Sequence, residues 1–248
     1  MINFKFRLNK IIKLELPFLE HIEELRYRIF FLFNLIILLT CLIFTEINNI
    51  ISFLTFPILN IKFFQLSPEE YFISTIKITF YISSLFTSPF IINQIILFLF
   101  PGLTNKELKI FIILLFNSLF LFSLSLIFSY YILIPIILKF FLNYTKEIIE
   151  PFWSFNEYFN FIFNLFYNIG FIFQIPIFQI FIYFLKIISF EQMINFWKYI
   201  LLIATILAAI LTPSTDPLTQ LLFSFIILLL YGIGLSLIIL LKKLNYLL

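Results

Sequence analysis

The chain has 248 residues, of which 62% are hydrophobic and only 12% charged, with a formal net charge of +3. So apolar a composition excludes a soluble globular domain, and apolar runs near the ~20 residues a helix needs to cross ~30 Å of hydrocarbon make it a polytopic membrane protein. The runs are continuous rather than alternating, which excludes a β-barrel, while the single Cys41 and single His21 exclude an internal disulfide and any Cys- or His-based metal cluster.

The N-terminal segment carries Lys5, Arg7, Lys10 and Lys13, with no apolar h-region and small-residue cleavage site behind it, so no cleaved signal peptide is expected. An acidic cluster follows instead. Pro17-Phe-Leu-Glu-His-Ile-Glu-Glu-Leu-Arg-Tyr-Arg-Ile29 packs Glu20, Glu23, Glu24, Arg26, Arg28 and His21 at the foot of the first apolar run. On a helix His21, Glu24 and Arg28 share a face, and Glu24 with Arg28 is an i,i+4 pair in the favourable order. The bland reading is a juxtamembrane helix held by such pairs. The functional one is a docking site for a cationic ligand.

Six spans are expected, all helical: 29–45, 71–99, 108–134, 158–185, 197–211 and 218–241. They make one membrane domain, 1–248, with 1–28 as an inner-face segment. Between spans one and two, Ser67 and Glu70 fit a capping box with Pro68 at the first helical position. Pro89 and Pro176 fall inside spans and should kink them. Thr104 and Glu107 form a second capping box before span three, and Pro135 opens the second outer loop at 135–157. Trp153 and Trp197 mark the outer and inner interfaces. The fifth span is short: fifteen residues at ~1.5 Å reach only about 22 Å. The Thr212-Pro-Ser-Thr-Asp-Pro217 turn then stops it, so either the bilayer thins there or protein shelters the hairpin tip.

Six spans place both termini on one side. That side collects Lys5, Arg7, Lys10, Lys13, Arg26, Arg28, Lys106, Lys109, Lys186, Lys198, Lys242 and Lys243, against Lys62, Lys139 and Lys146 opposite. Twelve against three puts the termini inside. Lys77 lies within the second span and can snorkel outward. Gln174 lies mid-span four beside Pro176, either as a helix–helix hydrogen bond or as a functional polar group at membrane depth. Glu107 either caps its helix or joins Glu24 in clamping two guanidiniums. No HExxH, GxSxG, Gly-rich phosphate loop or Cys/His cluster is present, so neither enzymatic chemistry, a metal nor another cofactor is expected. Valine is absent and phenylalanine reaches 39 residues, codon usage that suggests a very AT-rich genome such as an organelle's.

Five ordered motifs resemble the TatC family of the twin-arginine (Sec-independent) protein translocase, over about Phe18 to Leu235. They are Leu19-Glu-His-Ile-Glu-Glu-Leu-Arg-Tyr-Arg28, Ser67-Pro-Glu-Glu-Tyr-Phe72 running on to Lys77, Ser88-Pro-Phe-Ile-Ile-Asn-Gln94, Phe98-Leu-Phe-Pro-Gly-Leu103 with Glu107, and Leu211-Thr-Pro-Ser-Thr-Asp-Pro-Leu-Thr-Gln220. The resemblance implies six tilted helices forming a curved wall, and a signal-peptide site on the inner face with acidic contacts at Glu24 and Glu107. Arg26, Arg28 and Phe98 match motif positions near that site. Pro57 resembles a proline of the family's outer cap, and Asp216 matches the acidic residue of the last outer turn. Two departures stand out: Gln174 replaces the glutamate many members carry, and Leu108 replaces a frequent arginine.

The implied function is the receptor core of a translocase that binds twin-arginine signal peptides of folded precursors. It would work in the bilayer with single-span TatA- and TatB-type subunits, as an oligomer, driven by the proton-motive force, without nucleic acid. The last turn resembles plastid and cyanobacterial members, so a plastid thylakoid membrane is expected, with a mitochondrial or bacterial inner membrane as the alternative. The competing functions are a small-solute or ion transporter, and a structural subunit of an energy-transducing complex.

Overall fold

The structure is a computed structural model and describes residues 18–58, 63–99, 105–145, 152–212 and 216–243. Ten α-helices are assigned among them: α1 (Phe18–Thr45), α2 (Ile47–Thr55), α3 (Glu70–Leu99), α4 (Asn105–Phe128), α5 (Ile134–Thr145), α6 (Phe155–Ile172), α7 (Ile175–Phe184), α8 (Phe190–Asn195), α9 (Trp197–Leu211) and α10 (Pro217–Lys243). A 3-10 turn, Phe56–Ile58, follows α2, and a π-turn, Ser129–Leu133, joins α4 to α5. The only β structure among the described residues is the parallel pair β1 (Phe63–Phe64) and β2 (Trp153–Ser154). Five helical stretches are long and apolar enough to cross a membrane, and α9 is a sixth, shorter apolar helix. This is the expected all-α polytopic fold.

The chain divides into two compact units, residues 1–49 with 75–115, and 50–74 with 116–248. In the first, α1 lies against α3. Thr75, Thr79, Ser83 and Thr87 repeat every four residues along α3 and are all buried. Hydroxyls on one stripe can hydrogen-bond across helices where lipid offers no hydrophobic drive. Thr40 of α1 meets this stripe, its Oγ1 2.8 Å from Ser83 Oγ. Pro89 does not break α3. Its missing N–H deprives the Leu85 carbonyl of a donor, and the Ser88 hydroxyl supplies one at 2.8 Å.

In the second unit, the segment after α1 is built rather than looped. The C-terminal carbonyls of α2, which a helix end leaves unpaired, accept from two tyrosines: Tyr130 Oη donates to Phe53 O at 2.7 Å and Tyr158 Oη to Leu54 O at 2.8 Å. Glu70 secures the entry to α3. Its carboxylate accepts from the Leu66 N–H, from Ser154 Oγ at 2.8 Å and from the Asn156 N–H at 3.4 Å. The expected Ser67–Glu70 box is therefore modified: the acid reaches back to Leu66, and α3 starts at Glu70 rather than at Pro68.

The third span needs correction. It does not stop at Ile134; α5 carries the helix on to Thr145. The π-turn just before Pro135, closed by Ile134 N–H to Ser129 O, widens the backbone where a proline ring would crowd a normal turn. The fourth span breaks at Phe173–Gln174 and restarts with Pro176 in the first turn of α7, where a missing N–H costs nothing.

The hairpin of α9 and α10 packs through Ala204 and Ala208, both fully buried, against α10. Asn168 Nδ2 donates to Leu211 O, the last carbonyl of α9. Asn168 lies twelve residues, about 18 Å, along α6 from Asn156 near that helix's N-terminal end. The C-terminal end of α9 is thus tied to the middle of the neighbouring α6.

Candidate functional site: the inner foot of α1

The acidic foot is helical from Phe18, so a continuous helix carries charge out of the apolar run. Glu24 and Arg28 form the expected i,i+4 pair. Arg28 Nε donates to Glu24 Oε1 at 3.2 Å and its Nη2 contacts the same oxygen. The second arm of the guanidinium crosses to α3, where Nη1 donates to Gln94 Oε1 at 2.7 Å. Arg28 therefore pins the Glu24 carboxylate to a fixed place on α3. The two side chains are 20% and 31% exposed, so the pair sits at a half-buried edge and is screened less than a surface pair.

Phe98 lies one turn beyond Gln94 on the same helix and is half-buried. Arg26 is exposed, with its guanidinium 5.6 Å from the Tyr27 ring centroid. Two residues apart on a helix are far apart in azimuth, so Arg26 and Arg28 do not act together. Glu107 occupies the first turn of α4 in the same unit as Glu24; its side chain, that of His21, and Thr104 lie outside the described residues. Gln94 is the residue that sequence reasoning passed over. It stood inside a quoted motif, but only the 66-residue step to Arg28 reveals its role.

The remaining candidates lie elsewhere. Gln174 is buried, and accepts from Ser118 Oγ at 2.7 Å, which is the helix–helix bond. Asp216 caps α10, taking the Thr219 N–H at 2.9 Å and the Thr219 hydroxyl at 2.8 Å. Pro57 sits in the 3-10 turn after α2, and Lys77 is exposed on α3.

The chain is similar to known proteins over most of its length. The family pattern described as Sec-independent protein translocase protein (TatC) matches residues 20–225. The tatC-like protein ycf43 of Trieres chinensis is 56% identical over 97% of this chain and 92% of its own length. The Sec-independent protein translocase protein TatC of Synechocystis is 42% identical over 89% of this chain and 87% of its own. The crystal structure of the twin-arginine translocase receptor TatC in DDM superposes with a TM-score of 0.75 at 33% identity, covering 88% of this chain and 98% of that one. The ycf43 relatives place the chain in the plastid thylakoid membrane. The chain belongs to the TatC family of Sec-independent protein translocase proteins, with a role in twin-arginine translocation.

Proposed function

We propose that this protein is the receptor core of the thylakoid twin-arginine translocase, and that Glu24 with Glu107 binds the paired arginines of a signal peptide. The observation that carries this reading is the Glu24 carboxylate held at the membrane edge by Arg28, which is itself fixed on Gln94. A carboxylate positioned before the ligand arrives costs little to organise on binding. An incoming guanidinium shares it with Arg28. Each charge-assisted bond at this half-buried edge contributes about 1–3 kcal/mol. Phe98, one turn beyond Gln94, flanks the site. Only the signal is read, so the cargo is unrestricted. Translocation then proceeds with single-span TatA- and TatB-type subunits recruited to an oligomeric receptor, driven by the proton-motive force.

The test is crosslinking of a twin-arginine precursor in isolated membranes. Glu24→Ala with Glu107→Ala is expected to abolish the crosslink while the protein still accumulates and assembles. Undiminished crosslinking by the assembled double variant would return Glu24 to a helix-pairing acid and Glu107 to a cap.

A further inference from the structure

Helix α6 is built the wrong way round for a helix facing lipid. Its buried face is apolar, with Phe159, Ile162, Phe163, Phe166 and Ile169 all under 7% exposed. Its outward face carries Asn156, Asn160, Asn164 and Asn168, one every four residues. Asn164 is exposed and the other three are half-buried. This is the pattern of a water-facing helix, inside a stretch long and apolar enough to span the bilayer. A carboxamide turned to hydrocarbon without a partner is costly. The ends of the stripe are used within the protein: Asn156 Oδ1 accepts from Ser74 Oγ at 3.4 Å, and Asn168 donates to the last carbonyl of α9. Among the described residues no hydrogen bond engages Asn160 or Asn164. They sit N-terminal to Asn168 on α6, beyond the level at which the end of α9 meets that helix.

We infer that Asn160 and Asn164 form a two-rung ladder that binds the backbone of an extended polypeptide. The spacing fits. Four helical residues advance about 6 Å, and two residues of an extended chain advance about 6.6 Å, so successive carboxamides meet the same edge of the ligand. The chemistry fits as well. A carboxamide offers an acceptor and two donors, enough to take one N–H and one C=O of a peptide. An extended chain entering the membrane lacks partners for those same groups, whereas a transmembrane helix satisfies its own. Main-chain recognition carries no sequence information, which suits a site that many cargoes must pass. This rests on the receptor reading above and names a further part of the precursor. The bound stretch is an extended segment of the precursor adjoining its twin-arginine signal.

The test is disulfide mapping in intact membranes. In a Cys41→Ser background, Asn160→Cys and Asn164→Cys are each paired with a scan of single cysteines along that segment of a stalled twin-arginine precursor. The preferred precursor position should shift by two residues between the two variants. A shift of about four residues, the same position for both, or a disulfide only to a single-span subunit overturns the ladder. Absence of disulfides while the precursor still crosslinks beside Glu24 overturns the ladder and leaves the receptor reading standing. Absence of both overturns the receptor reading too. As a second readout, Asn160→Leu with Asn164→Leu, which suits hydrocarbon and keeps the helix, should slow transport about tenfold. Transport at the wild-type rate by that variant overturns the inference.

Discussion

Gly234→Ala is the substitution whose cost the structure defines most sharply. Helices α7 and α10 pack against one another, and at Gly234 they approach so closely that Gln179 fills the space a side chain would occupy. A Cβ at position 234 would lie 1.7 Å from Gln179 Oε1, 2.8 Å from Gln179 Cδ and 3.1 Å from Pro176 Cα. The oxygen must retreat by about 1.7 Å to reach ordinary contact, and Gln179 is itself buried. The side chain can swing, but the Pro176 backbone cannot. Overpacking of this kind costs about 1–3 kcal/mol. At roughly 2–4 °C per kcal/mol for a chain of this size, the variant should melt several degrees below wild type in detergent. Gln179→Ala removes the clash, so Gly234→Ala in that background should lose much less. The coupling should exceed about 1 kcal/mol, with the Pro176 contact leaving a remainder. A wild-type melting temperature for Gly234→Ala, or an equal loss in both backgrounds, would refute the reasoning.

Further expectations follow from single contacts. Gln174→Leu leaves the buried Ser118 hydroxyl without its acceptor, and should cost about 0.5–2 kcal/mol in the same melting assay. Ser88→Ala removes the donor that serves the Leu85 carbonyl beside Pro89, and should cost about 1 kcal/mol. Spin labels at Glu157 and Ile210, both exposed, should differ in membrane depth by about 15–20 Å; equal depths would contradict the pairing of the α9 end with Asn168. A tag at the C-terminus should resist protease added from the lumenal side, as the twelve-to-three distribution of Lys and Arg requires.

The spans were legible because hydrocarbon imposes one rule on every residue of a run, and Phe, Ile and Leu state it redundantly. What the sequence concealed were places where polar chemistry is repaired by distant groups. Pro135 read as a stop, yet the π-turn before it lets Ile136–Phe141 continue as helix. Ile47–Thr55 read as loop because Asn48 and Asn49 interrupt it, but its end is tied down by Tyr130 and Tyr158, 77 and 104 residues away. At the candidate site the local half was readable: Glu24 and Arg28 are an i,i+4 pair by spacing alone. Gln94 was not, because a partner 66 residues distant has no local signature. The asparagine repeat on α6 is plain in the sequence, but its meaning depends on which face of the helix is buried, and only the packing of Phe159, Phe163 and Ile169 decides that.

The central claim, that Glu24 and Glu107 read the paired arginines, is tested most directly by one thermodynamic cycle. The affinity of a twin-arginine signal peptide and of its twin-lysine counterpart is measured for the wild-type protein and for Glu24→Gln with Glu107→Gln. Lysine cannot fork onto a carboxylate, so the wild-type protein should favour arginine by about tenfold or more, and the preference should largely vanish in the double variant. An arginine preference that survives undiminished without the two carboxylates would contradict the account.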